Sequence, residues 1–488
     1  MPFVSREMEL ALLDDLYHRA GAQFLILYGR RRIGKTALIT QWGGGIGTPY
    51  LYWMASQTSA TNQLRNFSQA LFQFLNPETA VTPTFSYPSW DAAFAEIARL
   101  AAGRRVVIVL DEFTYVMQAD GQVPSLIQKA WDHHLKESQV FLILMGSLAG
   151  IIQRAALDYQ SPLYGRATAR LKLQPLSFGA LPDMLPNYSS EQRVAVYTIT
   201  GGVPAYIELF DDSLNILQNL QQRIVTPANV MLSDAVFLLH EQLDEPRNYI
   251  AVLEAIAAGF HRLTDIATMA GIDRSNITKY LAVLRELGYV ERLVPATVRR
   301  PEKSRKGRYV ITDPYLRFYY RFLAPHRSAI EQGRVRQATS LLYDHLLDFI
   351  GTHTFEELCR EWVNIKAGLG ELPFLPERTG SFWSKQAQVD VLAINWRTKD
   401  ILLGECKWGQ KPVGREVIQP LIDKTEKVLP GQVAWQVHYA FFARSGFTPA
   451  AQALAQEHQA QLVTLAQMES DMQRWLKVQR KQLTTENL

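Results

Sequence analysis

The segment Gly29-Arg-Arg-Arg-Ile-Gly-Lys-Thr36 constrains this 488-residue chain more than any other. Two glycines separated by four residues, with Lys-Thr behind the second, match the phosphate-binding pattern G-x-x-x-x-G-K-[ST]. The flanks agree: an apolar run at 24–28 precedes it, and 37–42 can open a helix. A strand, a glycine-rich turn and a helix in that order belong to an α/β fold with a parallel sheet. Its backbone N–H groups curl around a phosphate at the helix N-terminus. Lys35 would contact the β- and γ-phosphates of ATP, and the Thr36 hydroxyl would hold Mg2+. Gly29, Arg32, Gly34 and Ala37 complete the nucleotide-facing set. The alternative, a bare glycine turn, leaves the Lys-Thr pair and both flanks unexplained.

Further apolar runs at 50–55, 106–110, 140–145 and 171–173 alternate with amphipathic segments. Continuous apolar strands between helical patterns predict a parallel sheet covered on both faces. The run Val106-Val-Ile-Val-Leu110 ends in Asp111-Glu112. Asp111 would reach the metal through water and Glu112 would orient the attacking water; the alternative is a pair of ordinary strand-end acids. Another run ends in Gly146-Ser147, where Ser147 is either a γ-phosphate sensor or a helix cap.

Length suggests about three domains. Hydrophobic residues make up 47% and charged residues 20%, which excludes disordered, collagen-like and coiled-coil chains. The 51 basic against 47 acidic residues leave +4, so any basic surface must be local. Two cysteines, Cys359 and Cys406, are too few for a disulfide framework and suggest a reducing compartment. The start carries acids where a signal peptide needs a basic and then an apolar stretch. No apolar run approaches the ~20 residues that span a bilayer. A cytoplasmic protein without membrane contact is expected.

Residues 178–240 read as helical, interrupted by Thr200-Gly-Gly-Val-Pro204. From Thr264 to Gly271, and then over 275–287, the pattern is helix-turn-helix with Ser275 as N-cap. Gly288-Tyr-Val290 opens a hairpin, and 296–308 carries six basic residues (Arg299, Arg300, Lys303, Arg305, Lys306, Arg308) against Glu302. Arg274, Asn276 and Lys279 could meet a DNA groove while this wing contacts phosphates. Alternatively the winged helix only packs on its neighbours and the basic hairpin is merely solvated.

Near the end, 388–395 and 400–407 read as two strands joined by 396–399. Symmetric closure pairs residues whose numbers sum to 795, so Asp390 lies opposite Glu405, with Lys407 on the same face and Cys406 on the other. Two carboxylates and a lysine on one sheet face can hold Mg2+ and stabilise a phosphoryl transition state. A one-residue slip would separate the carboxylates. Plain cross-strand charge pairing, worth ~0–1 kcal/mol, is the alternative.

Taken together, Val4-Ser-Arg-Glu-Met-Glu-Leu10, the phosphate loop, Leu110-Asp-Glu112, Gly146-Ser147 and Gly201-Gly-Val-Pro204 resemble the archaeal and bacterial ATPase family of the AAA+/STAND lineage, over roughly 1–320. The resemblance implies that Arg6 lies near the adenine and that Pro204 senses nucleotide from a helical lid. It also implies that Arg166, in Pro162-Leu-Tyr-Gly-Arg166, faces the γ-phosphate as a catalytic charge; the alternative is an arginine merely solvated at the surface. The Asp390/Glu405-Cys-Lys407 spacing resembles the PD-(D/E)xK nuclease fold. With Phe318-Tyr-Tyr-Arg-Phe322 it looks like the DUF234 architecture. That likeness implies a helix-borne acid completing the metal site, Glu356 or its neighbour Glu357 in Phe355-Glu-Glu-Leu-Cys359, and a nuclease core helix over 415–428. Val389 stands where many such nucleases have proline.

The expected layout is therefore a P-loop NTPase core (1–176), a helical lid (177–245), a winged helix (246–324) and an α/β restriction-endonuclease-like domain (325–488). An ATP/ADP switch coupled to a nuclease-like effector acting on nucleic acid, DNA before RNA, follows from it. Glu112, Arg166, Asp390, Glu405 and Lys407 would be its catalytic residues. Two alternatives stand beside it. One is a non-catalytic, ATP-dependent regulator that grips DNA or a partner protein. The other is a transcription-factor-like protein whose winged helix alone meets DNA. Nucleotide-dependent self-association is compatible with each.

Overall fold

The computed structural model describes residues 3–147, 161–243, 245–431 and 433–486. The chain divides near Leu176 into two compact units, 5–175 and 176–484. In the first, β1 (Gln23–Tyr28), β2 (Leu51–Met54), β3 (Val106–Asp111), β4 (Val140–Gly146) and β5 (Ala169–Lys172) form a fully parallel sheet in the order β2-β3-β4-β1-β5. Every residue of β3 and β4 is buried, as continuous apolar runs require when helices cover both faces. Ser59 and Ser89 accept hydrogen bonds from the amides of Asn62 and Ala92 and so start the helices Ala60–Leu75 and Trp90–Leu100. Trp53, Phe67, Trp90 and Phe94 lock those helices to β2, with Phe67 and Trp90 stacked at 5.2 Å. Because the strands run one way, the chain leaves β1, β3 and β4 at a single edge, where α/β sheets take their ligands.

In the second unit, the helix Ser190–Thr200 begins with a Ser189/Gln192 capping box and ends at Gly201, φ +62°. Gly202 follows at φ +74°; a Cβ there would lie 2.0 Å from the Leu176 carbonyl oxygen, so the second glycine is required sterically. The helices Arg247–Ala257, Leu263–Ala270 and Arg274–Glu286 and the antiparallel pair β6 (Val290–Leu293) and β7 (Arg308–Ile311) form the winged helix. Ser275 does not cap the recognition helix. Gly271 ends the preceding helix in the left-handed region, and the N-cap position falls on Asp273, two residues before Ser275.

The C-terminal sheet contains β8 (Arg378–Trp383), β9 (Gln388–Asn395), β10 (Asp400–Lys407), β11 (Gln436–Ala443) and β12 (Gln461–Thr464), in the order β12-β11-β10-β9-β8. β8, β9 and β10 are antiparallel; β10, β11 and β12 are parallel. The pairing runs from Asp400↔Asn395 to Gly404↔Val391, each summing to 795 as the hairpin symmetry requires. β8 carries no clear apolar alternation, since Gly380 and Ser381 break it, and it is not predicted from sequence. The helix expected over 415–428 ends at Asp423, followed by a 3-10 turn.

The expected divisions at 245 and 324 fall inside the second unit. The wing is clipped to β8: the Ala296 amide donates to the Ser381 carbonyl at 2.8 Å, Arg378 donates to the Val298 carbonyl, and Arg308 lies 4.7 Å over the Trp383 ring. Ala296 is itself part of the core of the C-terminal sheet. Arg308 is thereby withdrawn from the basic surface, whereas Arg299, Arg300, Lys303, Arg305 and Lys306 remain exposed, as do Arg274, Asn276 and Lys279 on the recognition helix. Among the described residues no helix is long and apolar enough to cross a membrane, and both cysteines are buried and free.

Candidate functional site

The loop after β1 departs through Gly29 at φ +149°, where a Cβ would lie 2.5 Å from the Leu173 carbonyl oxygen. Arg32 (φ +67°) and Gly34 (φ +90°) are also left-handed, which turns successive N–H groups inward and makes an anion nest. Lys35, 7% exposed, folds across this nest and donates to the carbonyls of Gly29 and Arg30 at 3.0 and 3.1 Å. It opens the helix Lys35–Gly45, on which Ala37 is exposed. The Thr36 hydroxyl donates to Asp111 Oδ2 at 3.2 Å, across 75 positions of sequence. Arg6 is buried beside the loop and donates to the Ile33 and Gln174 carbonyls and to Glu9, so it supports the loop's outer side.

Asp111 is 2% exposed at the end of β3. Its Oδ1 accepts the Glu112 amide at 2.8 Å, and its Oδ2 accepts both Thr36 and the Tyr52 hydroxyl. Burial, and then the bond to Asp111, push the Tyr52 phenol well up, so it stays a donor. Tyr52 is not singled out by sequence. Only the pairing of β2 with β3 brings it there. Glu112 has φ +48°, a conformation that costs a non-glycine residue about 1–3 kcal/mol and that clusters at functional sites. Its carboxylate accepts the Ser147 hydroxyl at 2.9 Å. Thr36, Asp111, Glu112 and Ser147 thus converge around the nest. Thr36 and Asp111 are adjacent hard oxygen donors beside an anion-binding loop, and they fit a Mg2+-bound nucleotide.

Arg166 does not face a γ-phosphate bound in this loop. The Thr168 amide donates to the Phe24 carbonyl at 2.8 Å, at the start of β1, whereas the loop leaves from Tyr28, about 13 Å further along at strand rise. Arg166 pairs there with Asp132 at 3.0 Å. The reason is topological: β5 runs parallel to β1, so the segment before it must enter at the opposite edge. Pro204 belongs to the other unit, where it opens the short helix Pro204–Ile207.

In the C-terminal sheet Asp390 is buried, and its Oδ2 accepts the Cys406 amide at 3.0 Å. Burial and then the charge on Glu405 push its carboxyl up. Glu405 is held between Lys407 (2.9 Å) and Lys424 (3.0 Å). Burial is the largest single influence on the Lys407 ammonium and lowers its pKa, but the bond to Glu405, the Glu405 charge and the charges of Asp390 and Cys406 together outweigh it, so the pKa is raised. Glu356 is the helix acid on the Asp390 side: Arg360 pairs with it at 3.3 Å and also donates to the Asp390 carbonyl at 2.9 Å. Glu357 is instead taken by Arg317 at 2.8 Å. Among the described residues no group of three or more His, Cys, Asp and Glu side chains could hold a metal ion. Glu356, Asp390 and Glu405 therefore share a neighbourhood without forming a cation cage, because Glu405 is neutralised by two lysines. Lys424 and Arg360 carry no motif that sequence reasoning could have used.

Burial, and then the charge on Asp390, push Glu356 up to about 8 from an ordinary 4.5. Across that window the folded state holds a proton that the unfolded chain releases. The resulting stability is fully present below 4.5 and is lost as pH rises through 8. Glu356→Gln is expected to flatten the fall in urea midpoint between pH 5 and pH 8; parallel profiles for the variant and the wild type would contradict this.

Residues 3–210 match the model of an ATPase domain found predominantly in Archaea. Residues 248–293 match the IclR helix-turn-helix domain, and 319–418 match DUF234, described as archaeal and bacterial proteins of unknown function. An uncharacterized protein of Methanocaldococcus jannaschii is 32% identical over 409 residues, 83% of this chain and 87% of that one. An uncharacterized ATP-binding protein of the same organism is 51% identical over 37 residues, 8% of this chain and 63% of its own length. Among solved structures, the Walker-type ATPase of Pyrococcus abyssi covers 65% of this chain and 94% of its own, with 18% identity and a TM-score of 0.48.

Proposed function

Because the chain belongs to the archaeal P-loop ATPases that carry a C-terminal DUF234 segment, we propose that it is an ATP-operated switch coupled to a nuclease-like, nucleic-acid-directed end. The observation that carries the ATP half is the Thr36–Asp111 bond beside the Lys35-spanned nest. When bound, Mg2+ would neutralise phosphate charge between Thr36 and Asp111. Lys35 would exchange its two carbonyls for phosphate oxygens. Glu112 would align the attacking water, with Ser147 holding its carboxylate in place.

Support for the second half comes from the β9/β10 pairing, which follows the 795 register as far as Gly404↔Val391, and from the Lys407–Glu405 ion pair and the Glu405 charge felt at Asp390. Exposed Arg274, Asn276, Lys279 and the five exposed wing cations suit a DNA backbone and groove. The regulator reading also has an observation in its favour, since Glu405 is already neutralised by Lys407 and Lys424. Cleavage would require it to exchange those lysines for a cation, whereas binding would not.

One assay separates the two readings: DNA and RNA incubated with Mg2+ or Mn2+, with and without ATP, using wild type, Lys35→Ala and Asp390→Ala proteins. Metal-dependent cleavage lost in Asp390→Ala, and made indifferent to ATP in Lys35→Ala, is the expected result. Tight nucleic-acid binding without cleavage would assign the regulator role, and equal cleavage by Asp390→Ala would remove the proposed site.

A further inference from the structure

A cavity of about 440 Å³ lies within the second unit between the winged helix and the C-terminal sheet. Part of the lining is aromatic: Phe322 and Phe349 meet edge to face at 5.0 Å, and Arg308 is stacked on Trp383. Another part is cationic. Arg317 is 7% exposed; its terminal nitrogens pair with Glu357, while its Nε has no hydrogen-bond partner among the described residues. A buried N–H left without an acceptor costs about 1–3 kcal/mol, so this site is short of one acceptor. Arg321 is exposed and makes no ion pair among the described residues. Asp390 and Glu356 also line the cavity.

We propose that this cavity binds a single nucleotide, either free or at the end of a single strand, with its base among Phe322, Phe349 and Trp383 and its phosphate on Arg317 and Arg321. Size limits the ligand: the volume is at the lower end of small-molecule pockets. Even the major groove of duplex DNA is about 12 Å wide, so a duplex cannot enter. Chemistry limits it further, because aromatic planes beside guanidinium groups select a ring that carries a phosphate. His353, which burial and then Arg317 push down to about 3, is neutral at physiological pH and adds no charge to the cavity. On the nuclease-like reading above, on which this consequence rests, the acids in the cavity lining act on strand ends rather than within a duplex. The binding itself does not rest on that reading.

The test uses the full chain carrying Lys35→Ala, to remove phosphate-loop binding, in EDTA. Thymidine 5′-monophosphate, a 5′-phosphorylated oligothymidylate labelled at its other end, and a blunt hairpin duplex are titrated in turn. The monophosphate and the single strand are expected to bind and to compete, and the duplex not to compete. Arg321→Ala, and separately Ala258→Trp at the cavity rim, should weaken both by roughly ten- to a hundred-fold. Binding untouched by both rim variants, or binding of the duplex alone, overturns the pocket. In a parallel run with Mg2+ or Mn2+ in place of EDTA, nucleotide binding without any metal-dependent cleavage leaves the pocket standing and removes the nuclease reading. Internal cleavage of duplex that ignores both rim variants does the reverse.

Discussion

Lys35→Ala is expected to lower ATP hydrolysis by about two to three orders of magnitude, the usual effect of deleting one preorganised donor to transition-state charge. The structure explains why no neighbour replaces it. Lys35 is the side chain whose ammonium spans the nest, held at 3.0 and 3.1 Å from the Gly29 and Arg30 carbonyls. The bond to Gly29 is buried and that to Arg30 partly so; leaving one buried acceptor costs about 1–3 kcal/mol, a loss the fold should survive. Steady-state phosphate release together with fluorescent-nucleotide titration checks both points. Hydrolysis within a few-fold of wild type would show that the reacting phosphate lies elsewhere.

Glu469→Ala is expected to destabilise the second unit by about 3–5 kcal/mol, the cost of leaving one member of a buried ion pair alone. Arg193 Nε and Nη2 each meet Glu469 at 2.7 Å, a bidentate pair whose side chains are 11% and 10% exposed. The Ser190 hydroxyl donates to the same carboxylate at 2.6 Å. Arg193 retains the Leu185 and Tyr188 carbonyls, which satisfy donors without balancing charge. The urea midpoint of the 176–484 transition measures the loss, and Glu469→Gln, which keeps an acceptor, should lose less. A shift below about 1 kcal/mol would place this pair among solvent-screened ones.

Much of both candidate sites was legible because their determinants are close in sequence. The phosphate loop is one run of eight residues, and its strand and helix adjoin it. Asp390 and Glu405 share a face because a four-residue turn fixes their register, which arithmetic alone recovers. Which of Glu356 and Glu357 lies on the Asp390 side was not legible, since adjacent helix residues differ in direction by about 100°, a consequence of 3.6 residues per turn. What decides it is Arg317 taking one and Arg360 the other. Arg166 misled because the motif around it says nothing about the edge at which β5 must be entered.

By itself, then, the sequence determined the P-loop core, the order of its strands along the chain, the helix-turn-helix and the carboxylate hairpin, all products of local spacing and periodicity. Tertiary structure alone decided that Tyr52 and Thr36 share Asp111, that Arg166 lies at the far edge of the sheet, and that the wing is fastened to β8. It also joined Arg193 to Glu469 across 276 positions. These pairings arise when strands and helices pack, because a buried polar group takes its partner from whichever element lies against it, and that neighbour is not written in the spacing of its own segment.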